Sequence, residues 1–252
     1  AEREKIPDKI INNWISAFIN EISNFDQSNF DLLYSSLAEL LTIYPKMISV
    51  FSKKIVKRTM KVRKILQQSN SRLGQETILS MLHLLDVIIS NDANVDLIIP
   101  AVCEIIIPLM DSNIQGILPS LFSTCSIVFM HASPKSIDAI TNLNKEVIKM
   151  AKSKSLMSVY AIDPLSLYVC LFLNSDKNGA SSSFSTMLGM CSLGKSYIQN
   201  ILAGITLISY SPSRKIVSDV SKEVSKVILD VISSPSNDVG LIYKAIWAIY
   251  ST

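Results

Sequence analysis

The strongest constraint on the fold is an apolar repeat with the period of an α-helix, which recurs along the whole chain. Residues three and four positions apart share one face of a helix, so such a repeat predicts a helix with one apolar side. We count about 11–12 segments of this kind, separated by short polar or proline-marked joints. In the first segment the apolar positions are Ile11, Trp14, Ile15, Phe18, Ile19 and Ile22.

Prolines and short polar stretches set the boundaries of the predicted helices. Pro7 and Pro45 each stand where a helix begins, a position that tolerates a residue without a backbone N–H. The chain has only 7 glycines and 9 prolines, too few for the frequent hairpin turns of a many-stranded β fold. The predicted helices cover residues 7–24, 30–44, 45–68, 75–89, 95–110, 113–130, 136–151, 164–173, 185–193, 197–209, 216–231 and 239–250.

Two apolar segments also admit a β-strand, residues 96–110 and 166–173, because isoleucine, valine and aromatic residues cluster there. Both are flanked by clear helical patterns, so we expect helices. Pro100 and Pro108 lie inside the first segment, and an internal proline removes a helical hydrogen bond. We therefore expect a kinked helix or two short helices at that point.

Two stretches without formal charge, residues 112–132 and 196–213, reach the length of a membrane span. Serine, threonine, asparagine or glutamine residues interrupt both, and glycine and proline also break the second. Because unpaired polar groups are costly in hydrocarbon, buried helices are favoured over membrane spans. We expect no transmembrane segment and, from the charged residues 1–5, no signal peptide.

Residues that could carry chemistry are few and scattered. His83 and His131 lack a neighbouring serine, cysteine or carboxylate in the arrangement that activates a general base, and the four cysteines include no CxxC pair. The sequence contains no Walker loop, dinucleotide fingerprint, nucleophile elbow or calcium loop. We therefore expect no cofactor, no metal and no catalysis. The cysteines sit in apolar stretches, which suits reduced, buried thiols in the cytoplasm or nucleus.

The net charge of +3 is small, so an electrostatic partner must recognise a local patch. The sharpest patch is a run of seven basic residues within twelve positions, without an acidic residue among them. On a helical wheel six of the seven fall within an arc of about 140°, Arg63 lies off it, and Phe51, Ile55, Val62 and Leu66 occupy the opposite face. We predict an exposed, partner-binding stripe made of Lys53, Lys54, Lys57, Arg58, Lys61 and Lys64.

Four interpretations of this stripe stay open. It can be a solvated helix face that keeps the protein soluble, or it can bind an acidic peptide, phosphoinositide head groups or the phosphates of nucleic acid. No aromatic residue interleaves the basic run, which weakens the case for stacking on single-stranded nucleic acid.

Two further polar stretches have ordinary structural interpretations. Asp86, Asp92 and Asp96 suggest a carboxylate cluster, but Asp92 lies in a turn where such residues cap helices, so we expect capping. Residues 174–185 contain three consecutive serines and a glycine, and we expect a mobile surface loop there, with a phosphorylation or partner-contact site as the alternative.

Residues 241–251, with the sequence LIYKAIWAIYS, resemble the third helix of an armadillo repeat. In that family an alanine, a tryptophan and then alanine–leucine followed by a small polar residue occupy the inner helix, as Ala245, Trp247, Ala248, Ile249 and Ser251 do here. The chain departs from the family at Thr252, where an asparagine that clamps peptide backbone is expected. Helix pairs also recur loosely about every 40 residues, the spacing of HEAT and armadillo repeats.

This resemblance implies an all-α, right-handed α-solenoid of stacked antiparallel helices, armadillo-like or HEAT-like, with a concave surface. We expect residues 1–252 to form a single helical-repeat domain that is part of a longer solenoid. The expected function is a non-catalytic, eukaryotic scaffold that binds another protein or a larger complex. We also predict that Trp247 is buried between helices, with Ala245 and Ala248 at close contacts.

Overall fold

The computed structural model describes residues 6–22, 29–68, 74–111, 114–153, 156–219, 221–233 and 239–251. These residues are 89% helical and contain no strand, which confirms the predicted all-α class. The strand alternatives at residues 96–110 and 166–173 are therefore wrong, and both segments are helical. The joints predicted at residues 26–29 and 69–74 lie outside the described residues except for Asn29 and Gly74.

Thirteen α-helices are present in the described ranges, close to the number predicted. They are α1 (Asp8–Glu21), α2 (Phe30–Ile43), α3 (Ile48–Gln68), α4 (Gln75–Asn91), α5 (Ile99–Met110), α6 (Leu118–His131), α7 (Ile137–Lys152), α8 (Ile162–Phe172), α9 (Lys177–Gly189), α10 (Lys195–Ser209), α11 (Lys215–Asp219), α12 (Ser221–Ser233) and α13 (Val239–Ser251).

Short 3-10 turns precede several of these helices and account for the prolines at the joints. Pro45–Met47 leads into α3 and Pro134–Ser136 leads into α7, each with proline at its first position. The predicted break in residues 95–110 is confirmed, because a 3-10 turn at Val95–Leu97 is followed by α5. Pro100 stands in the first turn of α5, where its missing N–H costs nothing, and Pro108 lies in the last turn.

The predicted loop at residues 174–185 is wrong, because most of it belongs to α9. The side chain of Asp176 accepts a hydrogen bond from the backbone N–H of Gly179 (2.9 Å) and caps the first turn of that helix. Serine and glycine are typical of loops, but this aspartate cap and the packing of α9 on α7 and α8 outweigh their low helix propensity. The helix predicted at residues 216–231 is helical wherever the structure describes it, in α11 and α12.

The chain splits into two compact units, unit 1 (Ala1–Ile127) and unit 2 (Val128–Thr252). In unit 1, α2 packs on α4 and α3 packs on α5, while α1 contacts both α2 and α3. The core between them is aliphatic for the most part, and its largest fully buried rings are Phe30, Tyr34 and Phe122.

In unit 2, α8 packs on both α9 and α10, α7 packs on α9, and α13 packs on α10 and α12. The centre of this core is an aromatic cluster in which Phe129 meets Tyr168 edge-to-face with ring centroids 5.2 Å apart. The ring centroids of Phe172 and Tyr168 are also 5.2 Å apart. Gly204 allows the close approach of α10 to α8, since a Cβ there would collide with the Ser166 hydroxyl.

The predicted burial of Trp247 is wrong, although Ala245 and Ala248 are fully buried as expected. Leu241, Ala245 and Ala248 share one face of α13 at helical spacing, and Trp247 lies across the helix from Ala245. Its ring is 42% exposed and meets Tyr243 edge-to-face, with centroids 6.2 Å apart. The other tryptophan, Trp14 on α1, is 45% exposed.

No helix among the described residues is long and apolar enough to cross a membrane. The described residues of the uncharged stretches at 112–132 and 196–213 belong to α6, α10 and the turns beside them. Their apolar residues, such as Phe122, Ile201 and Ile205, are buried within the fold.

Candidate functional site

The predicted basic helix is α3, and its inner face is apolar as expected. Phe51, Ile55 and Val62 are buried, with Ile55 completely inaccessible to solvent. Ser52, Val56 and Thr59 are buried beside them. The side chain of Leu66, the fourth predicted apolar position, lies outside the described residues. This face packs α3 against α1, α4 and α5, so the opposite side of the helix faces solvent.

The outer side of α3 carries the predicted stripe, which we call the basic face. Five of its six residues are exposed, and Arg58 is half-buried at its edge. Arg63, the basic residue predicted to lie off the stripe, is also half-buried. The structure therefore places together the residues that the helical wheel assigned to one surface. The basic face consists of Lys53, Lys54, Lys57, Arg58, Lys61 and Lys64.

One acidic residue, Glu104, neutralises part of the positive charge at the C-terminal end of the basic face. Glu104 on α5 accepts a hydrogen bond from the Lys64 ammonium at 3.3 Å, and both side chains are more than half exposed. Burial lowers the pKa of Arg63, and the nearby Glu104 carboxylate opposes that shift. In the described part of the chain Lys53, Lys54, Lys57 and Lys61 form no ion pair, so their charges are available to a partner.

The three aspartates Asp86, Asp92 and Asp96 do not form a metal site. Within the described ranges no group of three or more histidine, cysteine, aspartate or glutamate side chains could hold a metal ion. The Asp92 carboxylate accepts a hydrogen bond from the backbone N–H of Asn94 (2.9 Å), so it stabilises the turn after α4 rather than the first turn of a helix.

Asp86 sits in an unusual environment inside unit 1. Burial raises the pKa of its carboxyl group to about 6, and the Thr124 hydroxyl on α6 opposes the shift. Asp86 Oδ1 and Thr124 Oγ1 are both buried without a hydrogen-bond partner at bonding distance. A half-buried acid with a raised pKa can serve as a general base, and the Asp86 carboxylate lies close enough to the buried Cys125 thiol to raise the pKa of that thiol further.

The cysteines and histidines occupy ordinary structural positions. All four thiols are free; Cys103 and Cys125 are buried as predicted, whereas Cys170 and Cys191 are only half-buried. Burial raises the pKa of all four, to about 12 for Cys103 and about 11 for Cys191, so they are protonated thiols near neutral pH. His83 and His131 are exposed.

Sequence reasoning missed a polar network that joins α7, α8 and α9 in unit 2. The Tyr168 hydroxyl donates to Asp176 Oδ2 at 2.6 Å, and the Thr141 hydroxyl lies 3.3 Å from the same oxygen. Burial raises the pKa of Asp176, but hydrogen bonds from Tyr168, the Gly179 N–H and Thr141 outweigh it, so the net pKa is lowered. Asn144 Nδ2 also donates to the buried Ser183 hydroxyl at 2.9 Å.

A cleft of about 660 Å³ lies between α9, α10, α11 and α12 in unit 2. Its floor is apolar: Phe184 and Ile216 are buried, and Leu188, Ile198 and Val227 are half-buried. Its rim is charged and exposed, and we call the whole feature the acidic cleft. The charged rim residues are Asp219, Glu223, Lys226 and Asp230.

Comparison of the chain with protein-family models, curated proteins and solved structures finds no match in any of the three.

Proposed function

We propose that this chain is a non-catalytic interaction scaffold that binds an acidic polypeptide segment through the basic face of α3. The observation that carries the proposal is a row of four exposed lysines that form no ion pair in the described structure. Lys53, Lys57 and Lys61 follow one another at intervals of four residues, so their ammonium groups rise along one side of the helix in steps of about 6 Å. Carboxylates on successive turns of an acidic helix have the same spacing.

The scaffold architecture proposed here is an armadillo-like or HEAT-like α-solenoid. Within unit 1, α2 packs on α4 and α3 on α5; within unit 2, α8 packs on α10 and α7 on α9. In these four pairs a helix contacts its second neighbour along the chain, which is the packing expected of stacked helix pairs and supports the proposal. The 3-10 turns between paired helices also fit repeats of about 40 residues.

The protonated, hindered thiols support a binding role rather than nucleophilic catalysis, since the thiolate is the reactive form. Free cysteines also suit the cytoplasm or nucleus of a eukaryotic cell, which is where we propose that the scaffold works.

An acidic polypeptide fits the basic face better than a phosphate polyanion does. Glu104 stands at the end of the lysine row and would repel a phosphate backbone that continued past Lys64. A short acidic segment needs to cover only the lysines before that point. Nucleic acid and phosphoinositide membranes are the alternatives, because they also present dense negative charge.

The test is a charge reversal of the four unpaired lysines: Lys53→Glu, Lys54→Glu, Lys57→Glu and Lys61→Glu. Lys64 is left unchanged because it pairs with Glu104. The probes are a fluorescent 20-residue polyglutamate peptide, a 20-base-pair DNA duplex and vesicles that contain phosphatidylinositol bisphosphate. We expect saturable binding of the peptide, loss of that binding in the variant, and an unchanged melting temperature, since surface substitutions cost little.

A matched control reverses four exposed lysines of unit 2: Lys135, Lys152, Lys177 and Lys222. This control has the same net charge change and should keep peptide binding. Equal losses in both variants would show a general charge effect and refute a specific surface. Binding of the duplex or the vesicles without binding of the peptide would replace the acidic-polypeptide proposal with the corresponding alternative.

A further inference from the structure

We propose that the acidic cleft of unit 2 is a second docking surface, which accepts a basic amphipathic helix from a partner protein. The apolar floor would take the aliphatic side chains of that helix, and the rim carboxylates would pair with its lysines or arginines. This surface is separate from the basic face of α3, so the inference does not rest on the function proposed for that face.

The first argument is the charge of the rim. Asp219, Glu223 and Asp230 stand against the single cation Lys226, and all four side chains are exposed. No ion pair of these residues is present in the described ranges. The lining of the cleft therefore has a net charge of −2, within a unit where residues 128–252 carry 12 lysines and arginines, Lys215 and Lys222 of α11 and α12 among them, and 8 aspartates and glutamates. The partner should therefore be cationic.

The second argument is the apolar floor. Phe184 and Ile216 close the bottom of the cleft, while Leu188, Ile198 and Val227 leave part of their surface accessible to solvent. A partner that is only a cation would leave this surface in water. A segment with an apolar side and a cationic side would cover the floor and neutralise the rim together.

The third argument is the spacing along α12. Glu223, Val227 and Asp230 share one face of this helix, so the two carboxylates are separated by two turns, or about 10 Å along the axis. Cations at positions i and i+7 of a helix lying alongside α12 would reach both. The volume, about 660 Å³, suits a few inserted side chains rather than a whole helix, so the partner helix would lie across the mouth of the cleft.

A small-molecule ligand fits this site less well. Sites for small ligands usually direct a few polar groups inward from buried positions, whereas these carboxylates are exposed at the rim. Cys191, which also lines the cleft, does not add a reactive group, because burial raises the pKa of its thiol and the Asp230 carboxylate raises it further.

The experiment measures fluorescence anisotropy of a labelled 14-residue Leu/Lys peptide, with leucines on one helical face and lysines on the other, titrated with the full chain in 0.15 M salt. A Leu/Glu peptide of the same pattern is the comparison. The cleft variant is Asp219→Asn, Glu223→Gln and Asp230→Asn. We expect saturable binding of the Leu/Lys peptide, at least about tenfold weaker binding to the variant, and weak or no binding of the Leu/Glu peptide.

A matched control removes three exposed carboxylates outside the cleft, Glu39→Gln, Glu76→Gln and Asp138→Asn, and should bind the Leu/Lys peptide like the unmodified chain. Val227→Ser tests the floor and should weaken binding about threefold or more while the fold stays intact by circular dichroism. Absence of Leu/Lys binding to the unmodified chain, equal binding of both peptides, or equal losses in the cleft and control variants would each overturn the proposal. The four-lysine reversal on α3 should leave Leu/Lys binding in place, which separates this test from that of the basic face.

Discussion

The interiors of the two units differ in how many of their buried polar groups have a hydrogen-bond partner. Among the described residues, unit 1 holds buried oxygens without a hydrogen-bond partner on Asn12, Thr59, Asp86, Thr124 and Ser126. In unit 2 several buried polar side chains are joined across helices, as in the Asn144–Ser183 pair and the Tyr168–Asp176 bond. A satisfied polar pair fixes which helices meet and in what register, whereas an unpaired polar group costs stability. Polar residues should therefore stabilise unit 2 and weaken unit 1.

The largest effect should come from breaking the polar pair of unit 2. Asn144→Ala removes a side chain that is 1% exposed, together with its hydrogen bonds to Ser183. We expect the free energy of unfolding to fall by about 3 kcal/mol, from lost packing and a poorly satisfied serine. Urea denaturation followed by circular dichroism measures it. Asn200→Ala on exposed α10 surface is the control and should change stability by less than about 0.5 kcal/mol. A loss that small for Asn144 as well would contradict the role assigned to the pair.

The second prediction uses the two aspartates whose pKa values move in opposite directions. Folding raises the pKa of Asp86 from 3.8 to about 6, so the ionised carboxylate destabilises the folded protein. This destabilisation is absent below about pH 3.8 and complete above about pH 6. Asp86→Asn removes the charge. We expect the variant to be more stable than the unmodified chain by about 2 kcal/mol at pH 7.5, and by much less at pH 4.

Asp176→Asn is the counterpart in unit 2 and should have the opposite sign. The pKa of Asp176 is lowered in the folded protein, so its ionised form adds stability at neutral pH that is lost as the pH falls through the folded-state pKa. The Asn variant should be less stable at pH 7.5, with a smaller difference in acid. Urea denaturation at both pH values checks both variants. A pH-independent difference for either aspartate would show that its charge is not responsible.

The smallest effect should come from removing an unpaired hydroxyl in unit 1. Ser126→Ala deletes a buried hydroxyl oxygen that has no hydrogen-bond partner. We expect a change in the free energy of unfolding within about 0.5 kcal/mol, or a small gain. Ser183→Ala, which deletes a paired hydroxyl in unit 2, should cost about 1–3 kcal/mol in the same assay. Similar costs for the two variants would remove the contrast between the units.

The sequence predicted those features whose residues all lie on a single helix. The basic face was predictable because its six residues lie within twelve positions and the helical period alone brings them to one side. The acidic cleft was not, because its lining comes from four helices and a turn, and only packing brings Phe184 and Asp230 together. Only the last residues of α9 fall in the helix predicted at 185–193, and its N-terminal part was missed because tertiary contacts such as Asn144 with Ser183 outweigh the loop-like composition.

Trp247 shows a different limit. We expected Ala245 and Ala248 to pack beside a buried Trp247 ring. Residues two positions apart lie on different sides of a helix, and here the alanines lie on the buried side while Trp247 lies on the exposed side. The short motif therefore predicted the helix and its buried alanines correctly, but it predicted the burial of Trp247 wrongly.

The half-exposed positions of the two tryptophans give each unit its own optical reporter. Trp14 belongs to unit 1 and Trp247 to unit 2, and the chain has no other indole. Replacing either one by phenylalanine leaves an emission signal that follows only one half of the chain. Two such single-tryptophan proteins, compared with far-ultraviolet circular dichroism, would reveal whether the chain melts in one cooperative transition or in two.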